Sequence, residues 1–129
     1  MRLFLLLAGL NGFLAVALGA FGAHGLKARL AALPDGAQRL EWWQTAAQYH
    51  LAHALALGLV AFLASRLGDG AALPRTAGWA FQVGIVLFSG SLYAMTLTGS
   101  RVLGAVTPLG GVALLVGWAC VAWGASRLG

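Results

Sequence analysis

Four long stretches of this chain carry no formal charge: Leu3 to Leu26, Trp42 to Ser65, Thr76 to Ser100 and Val102 to Ser126. At ~1.5 Å of rise per helical residue, each is long enough to cross a hydrocarbon core of ~30 Å. The charged residues collect at the boundaries between them, where a bilayer would place them in water. The pattern predicts an all-α fold, an integral membrane bundle of four transmembrane helices. One domain is expected over 1–129, with spans near 3–23, 42–65, 76–98 and 107–126.

The flanking residues bound these spans. Gly19, Gly22 and Gly25 permit a chain reversal at the end of the first. Lys27 to Leu33 then reads as a short interfacial segment, and Pro34-Asp35 as a helix start with Asp35 as N-cap. From there a helix can run unbroken to Ser65, which would put Arg39 and Glu41 in water and Trp42 and Trp43 in the interfacial aromatic belt. Gly68-Asp69-Gly70 and Pro74 mark the next loop. The third span runs from about Arg75 to Thr98, followed by a tight turn over Gly99 to Gly104. Thr107-Pro108 reads as N-cap and first helical residue of the fourth.

Composition strengthens the membrane reading. Of 129 residues, 60% are hydrophobic and 9% charged, against roughly a quarter charged in globular domains. Four spans use most of the chain, so no soluble domain fits. A formal charge of +5 would suggest nucleic acid in a soluble protein. Here the cations are scattered with no basic stripe, so nucleic acid is rejected as a partner and the lipid bilayer takes its place. The first apolar stretch is longer than a secretory h-region and is read as a span. Cys120 is the only cysteine, which leaves no internal disulfide.

An even number of spans puts both termini on one side. Arg2, Arg66, Arg75 and Arg127 flank that side; Lys27, Arg29, Arg39 and Arg101 flank the other. This symmetry gives the positive-inside rule no basis for choosing an orientation. Val60 to Gly68 and Val121 to Gly129 share seven of nine residues, a short similarity that does not extend upstream.

Glycine placement points to close helix packing. Gly110, Gly117 and Gly124 recur every seven residues, and Ala54, Gly58 and Ala61 form a comparable stripe in the second span. Small residues let helices approach where lipid provides little hydrophobic drive between them. The stripes suit packing within one bundle, or a homo-oligomer or larger membrane complex.

Candidate chemistry lies in the polar residues inside the spans. His24 stands at the exit of the first span, and His50 and His53 lie ~12 and ~16 Å along the second helix beyond Trp42. A spacing of three puts His50 and His53 on one helical face, where they can share a metal ion or contact one cofactor. In the third span Gln82, Ser89, Tyr93 and Thr96 form a single stripe. Tyr93 matches His50 in depth, and Asn11 matches Gln82, so interhelical hydrogen bonds are expected. Three chemistries fit this interior. The groups can satisfy one another and fix helix register. They can hold a metal or haem through His50 and His53, with His24 as a further ligand. Or a histidine can titrate along a proton or small-solute path. No carboxylate lies inside any span, and Ser89 and Ser91 have no base or acid partner, so no catalytic constellation is visible and no cofactor is required.

Four ordered blocks carry a family resemblance. They are Gly19-Ala20-Phe21-Gly22-Ala23-His24-Gly25-Leu26; Gln48-Tyr49-His50 with His53-Ala54-Leu55-Ala56-Leu57; Gly84-Ile85-Val86-Leu87-Phe88-Ser89-Gly90-Ser91-Leu92-Tyr93; and Gly104-Ala105-Val106-Thr107-Pro108-Leu109-Gly110-Gly111. Together they resemble the small YgdD/YwdK-type membrane proteins, a family of unknown function in bacteria with a mitochondrial relative in animals. The resemblance covers nearly the whole chain, leaving Arg75 to Phe81 and Lys27 to Leu40 with little signal. It implies a four-span protein of the bacterial inner membrane and supplies no activity, substrate or catalytic residue. The sequence therefore leads to a non-enzymatic packing or accessory protein of a membrane assembly. A histidine-lined site for a metal, haem, proton or small solute is the alternative.

Overall fold

The computed structural model describes residues 1–129. Four long helices account for the chain: α1 (Arg2–Leu30), α2 (Gly36–Leu67), α3 (Ala72–Thr98) and α4 (Val102–Ala125). Each is long and apolar enough to cross a membrane. Within its most apolar stretch α2 is 50% buried and α3 44%, against 17% for both α1 and α4. The inner pair is therefore α2 and α3, with α1 packed mainly on α2 and α4 mainly on α3.

The first reversal falls later than the glycines suggest. Gly22 keeps ordinary helical angles, and α1 passes through a π-helical turn at Gly22–Leu26 before continuing to Leu30. The segment after Gly25 thus prolongs α1. In hydrocarbon an unpaired backbone N–H or C=O costs several kcal/mol, so a glycine that can stay helical does so. The chain turns instead over residues 31–35, where Leu33 N–H donates to Leu30 O and Gly36 N–H to Leu33 O. Asp35 occupies the N-cap position of α2 without a side-chain capping bond; its carboxylate lies 3.7 Å from the Arg39 guanidinium. Thr107, expected as N-cap of the last helical segment, is instead its first helical residue after Val106, and its hydroxyl meets Ser91 Oγ at 2.6 Å.

Arg39 also departs from expectation. Its side chain is largely buried, and it donates from Nε to Thr96 O (2.8 Å) and from Nη2 to Leu97 O (3.2 Å). These are last-turn carbonyls of α3, which have no helical donor of their own and carry the negative end of the helix dipole. Gly99 then ends α3 at φ +73°, a conformation that side chains resist.

The main core joins all four helices through Phe4, Leu57, Val60, Phe81, Ile85 and Leu114. The α4 glycines face inward. A Cβ at Gly110 would strike the backbone of Leu87 and Phe88, one at Gly117 the Phe81 ring, and one at Gly124 the Leu63 side chain. The stripe is thus used within the chain. Gly58, expected to pack in the same way, has nothing within 4 Å of where a Cβ would lie. Both termini meet the bundle at the end carrying the α2–α3 loop: the Met1 ammonium contacts Asp69 at 2.6 Å, and Arg127 lies beside Ala71 and Leu73.

Candidate functional site

The polar residues inside the spans form a connected layer. Asn11 on α1 donates from Nδ2 to Leu7 O (2.8 Å) and to Gln82 Oε1 on α3 (2.9 Å). Its Oδ1 lies 3.1 Å from His50 Nε2, and His50 Nδ1 lies 3.0 Å from the Tyr93 hydroxyl. The Leu7 carbonyl can only accept, so the Asn11 atom facing it is the amide nitrogen, and Oδ1 must face the histidine. Neutral His50 therefore carries its proton on Nε2, which donates to Asn11, and Tyr93 O–H donates to Nδ1. The same reasoning leaves Gln82 Oε1 turned toward Asn11 and its NH2 group turned away.

His53 has the opposite tautomer. Nδ1 lies 2.7 Å from Tyr49 O, an acceptor, and so holds the proton. Nε2 then accepts the indole N–H of Trp118 at 3.0 Å. Rings flank the imidazole: Tyr49 stacks on His53 at 5.9 Å between centroids, and Phe81 and Trp118 lie at 5.6 and 6.0 Å.

The structure therefore separates the two histidines expected to act together. His50 reaches toward α1 and α3, His53 toward α4, and all four ring nitrogens have partners within the chain. Their ring nitrogens are directed to different partners, and no group of three His, Cys, Asp or Glu that could hold a metal ion comes together. A three-residue step turns a helix by 300°, leaving ~60° between the two side chains, and the neighbouring donors and acceptors widen that divergence. His24 lies on the exposed surface of the α1 π-turn, apart from the buried layer.

The remaining stripe residues face α2. Ser89 donates to Ala46 O at 2.8 Å, and Thr96 Oγ1 lies 3.0 Å from Arg39 O and 2.9 Å from Leu92 O. Trp43, expected in the interfacial belt, is a core residue at 3% exposure. Its indole donates to Leu18 O at 2.7 Å and packs edge-on against Tyr93, 4.6 Å between centroids. Gly22 makes this approach feasible, since a Cβ there would overlap the indole. Trp42 remains half-buried, with the Arg101 guanidinium 5.7 Å over its ring. Sequence reasoning missed Trp118 and the capping role of Arg39. Nothing in their local sequence specifies either partner.

Four apolar helices around a neutral hydrogen-bonded interior define a polytopic helical membrane protein. Comparison with known proteins specifies it further. Residues 18–111 match the family described as "Protein of unknown function (DUF423)", and the chain belongs to that family. It is 52% identical over 118 residues to the UPF0382 membrane protein YwdK of Bacillus subtilis (strain 168), covering 92% of this chain and 91% of that one. It is 40% identical over 134 residues to the UPF0382 inner membrane protein YgdD of Escherichia coli (strain K12), covering 98% and 92%. A UPF0382 membrane protein of Haemophilus influenzae is 42% identical over 124 residues, covering 96% and 94%. No solved structure matches the chain.

Proposed function

We propose that this is a non-enzymatic accessory protein of the bacterial inner membrane, with a polar interior that sets helix register. One observation carries the reading: no buried side-chain nitrogen or oxygen lacks a hydrogen-bond partner. Groups kept for catalysis or ligation commonly leave a donor or acceptor free. Here Asn11, His50, Tyr93 and Ser89 are matched within the chain, so sliding α1 or α3 against α2 would break several bonds in a medium without water. The accessory role draws support from the slight burial of α1 and α4, whose outer faces are free for lipid or a neighbouring subunit. The glycine stripe lends it none, because the bundle itself uses those glycines.

The test joins two measurements on protein taken gently from its native membrane. His50→Ala and His53→Ala should each lower the unfolding temperature in detergent while leaving metal and haem content unchanged. A stoichiometric metal or a haem band lost in either folded variant would overturn the structural role. Chemical cross-linking before extraction should capture a partner protein; a monodisperse monomer with no cross-linked partner would count against the accessory role.

A further inference from the structure

The side-chain amide of Gln82 is the one polar group of the buried layer left half-matched. Its Oε1 accepts from Asn11, and its NH2 group, turned away by the orientation that Leu7 imposes on Asn11, makes no hydrogen bond within the chain. Every fully buried polar atom has a partner, so this NH2 must reach an open space. Gln82 lines a cleft of ≈ 280 Å³ between α1 and α3, with Leu14, Ile85 and Val86 as apolar walls. Gly90 also lines it, and a Cβ there would have nothing within 4 Å.

Depth and local geometry give the cleft chemical meaning. Gln82 lies seven residues beyond Arg75, ~10 Å along α3 and inside the hydrocarbon region. Two amide N–H bonds left unpaired there cost a few kcal/mol, which an acceptor would recover. The α3 wall is also a π-helical turn, Ile85–Ser89, which sends Ser89 to the Ala46 carbonyl on α2 and leaves Gly90 at the cleft. Such turns inside long helices recur at ligand sites. No cation lines the cleft, so it offers nothing to balance a charged headgroup. It offers donors and apolar walls.

We propose that the α1–α3 cleft binds a membrane-dissolved, uncharged lipophile through a carbonyl oxygen that accepts a hydrogen bond from the Gln82 amide. A quinone ring and an acyl ester share this chemistry. The site goes beyond the structural role of the layer, since it uses only the amide that the layer leaves over.

The test uses the full chain in an ester-free maltoside detergent with two radiolabelled probes, a decyl-substituted 1,4-benzoquinone and a diacylglycerol. One equivalent of probe should bind saturably, the quinone alone marking a quinone site and the diacylglycerol alone an acyl-ester site. Gln82→Met removes the donor, and with it the Oε1 acceptor of Asn11, at similar size; with the fold retained it should weaken binding about tenfold, the worth of one hydrogen bond. Gly90→Leu adds bulk at the cleft, from a position where a Cβ meets nothing within 4 Å, and in the folded variant should abolish binding. Gly9→Leu, on an exposed and open part of α1, should leave binding as it is. Absence of saturable binding by both probes overturns the proposal. So does retention of binding in Gly90→Leu or in Gln82→Met.

Discussion

Trp118 donates its indole N–H to Nε2 of His53 at 3.0 Å, and this contact fixes the tautomer of a buried histidine. With Tyr49 O accepting from the other ring nitrogen, the His53 tautomer is the one with its proton on Nδ1. One turn earlier on the same helix, Asn11 and Tyr93 hold His50 in the other tautomer.

The opposed tautomers are directly observable. In protein labelled with ¹⁵N-histidine in detergent or bilayers, His50 should show the Nε2–H pattern and His53 the Nδ1–H pattern. Trp118→Phe should shift the His53 Nε2 resonance and leave His50 unchanged. A common tautomer for both rings would contradict the hydrogen-bond directions derived above.

The pairing of Asn11 with His50 should appear as coupling energy. Asn11→Leu and His50→Leu should each destabilise the bundle. A double-mutant cycle read by unfolding in mixed micelles should give an interaction of about 0.6–2 kcal/mol, the range for interhelical hydrogen bonds in membranes. Additive losses would mean that the two side chains do not meet.

Two glycines should respond in opposite ways to alanine. Gly110→Ala places a methyl group against the α3 backbone, which cannot yield as a flexible side chain can, so the unfolding temperature should fall sharply. Gly58→Ala adds a methyl group in open space within α2 and should be neutral or stabilising by up to about 1 kcal/mol. Equal effects at both sites would show that α4 does not approach α3 as described.

Arg39 should matter more than a residue at a water boundary usually does. Arg39→Ala removes two donors from the α3 terminus and should cost about 1.5–3 kcal/mol, as for hydrogen bonds to a charged group. Arg39→Lys should recover only part of this, because a single ammonium cannot reproduce the guanidinium fork. Faster amide exchange at Gly99 and Ser100 in both variants would locate the damage.

Much of the fold was legible because a bilayer imposes a one-dimensional rule. Arg2, Arg66, Arg75 and Arg127 at one boundary, and Lys27, Arg29 and Arg101 at the other, mark where the helices leave hydrocarbon. Rise per residue then sets the depth of every side chain, so Asn11 could be matched with Gln82 and His50 with Tyr93 from position alone. The same rule misled at Trp43 and Arg39. Depth places them near the interface but cannot say that one turns inward against Gly22 and the other bends over the end of α3.

The sequence by itself determined the four spans, their common end for the two termini, and which polar groups share a level. Each follows from charge position and helical rise along a single chain. The tertiary structure decided that the reversal after α1 waits until residues 31–35, and that Gly110 packs while Gly58 does not. It also decided that His50 and His53 look to different helices and that the Gln82 amide is left facing a cleft. The last two depend on contacts between residues 39 to 71 positions apart, such as Asn11 with His50 and Gln82. At that separation no local periodicity carries the information, and only the meeting of helix faces fixes which donor finds which acceptor.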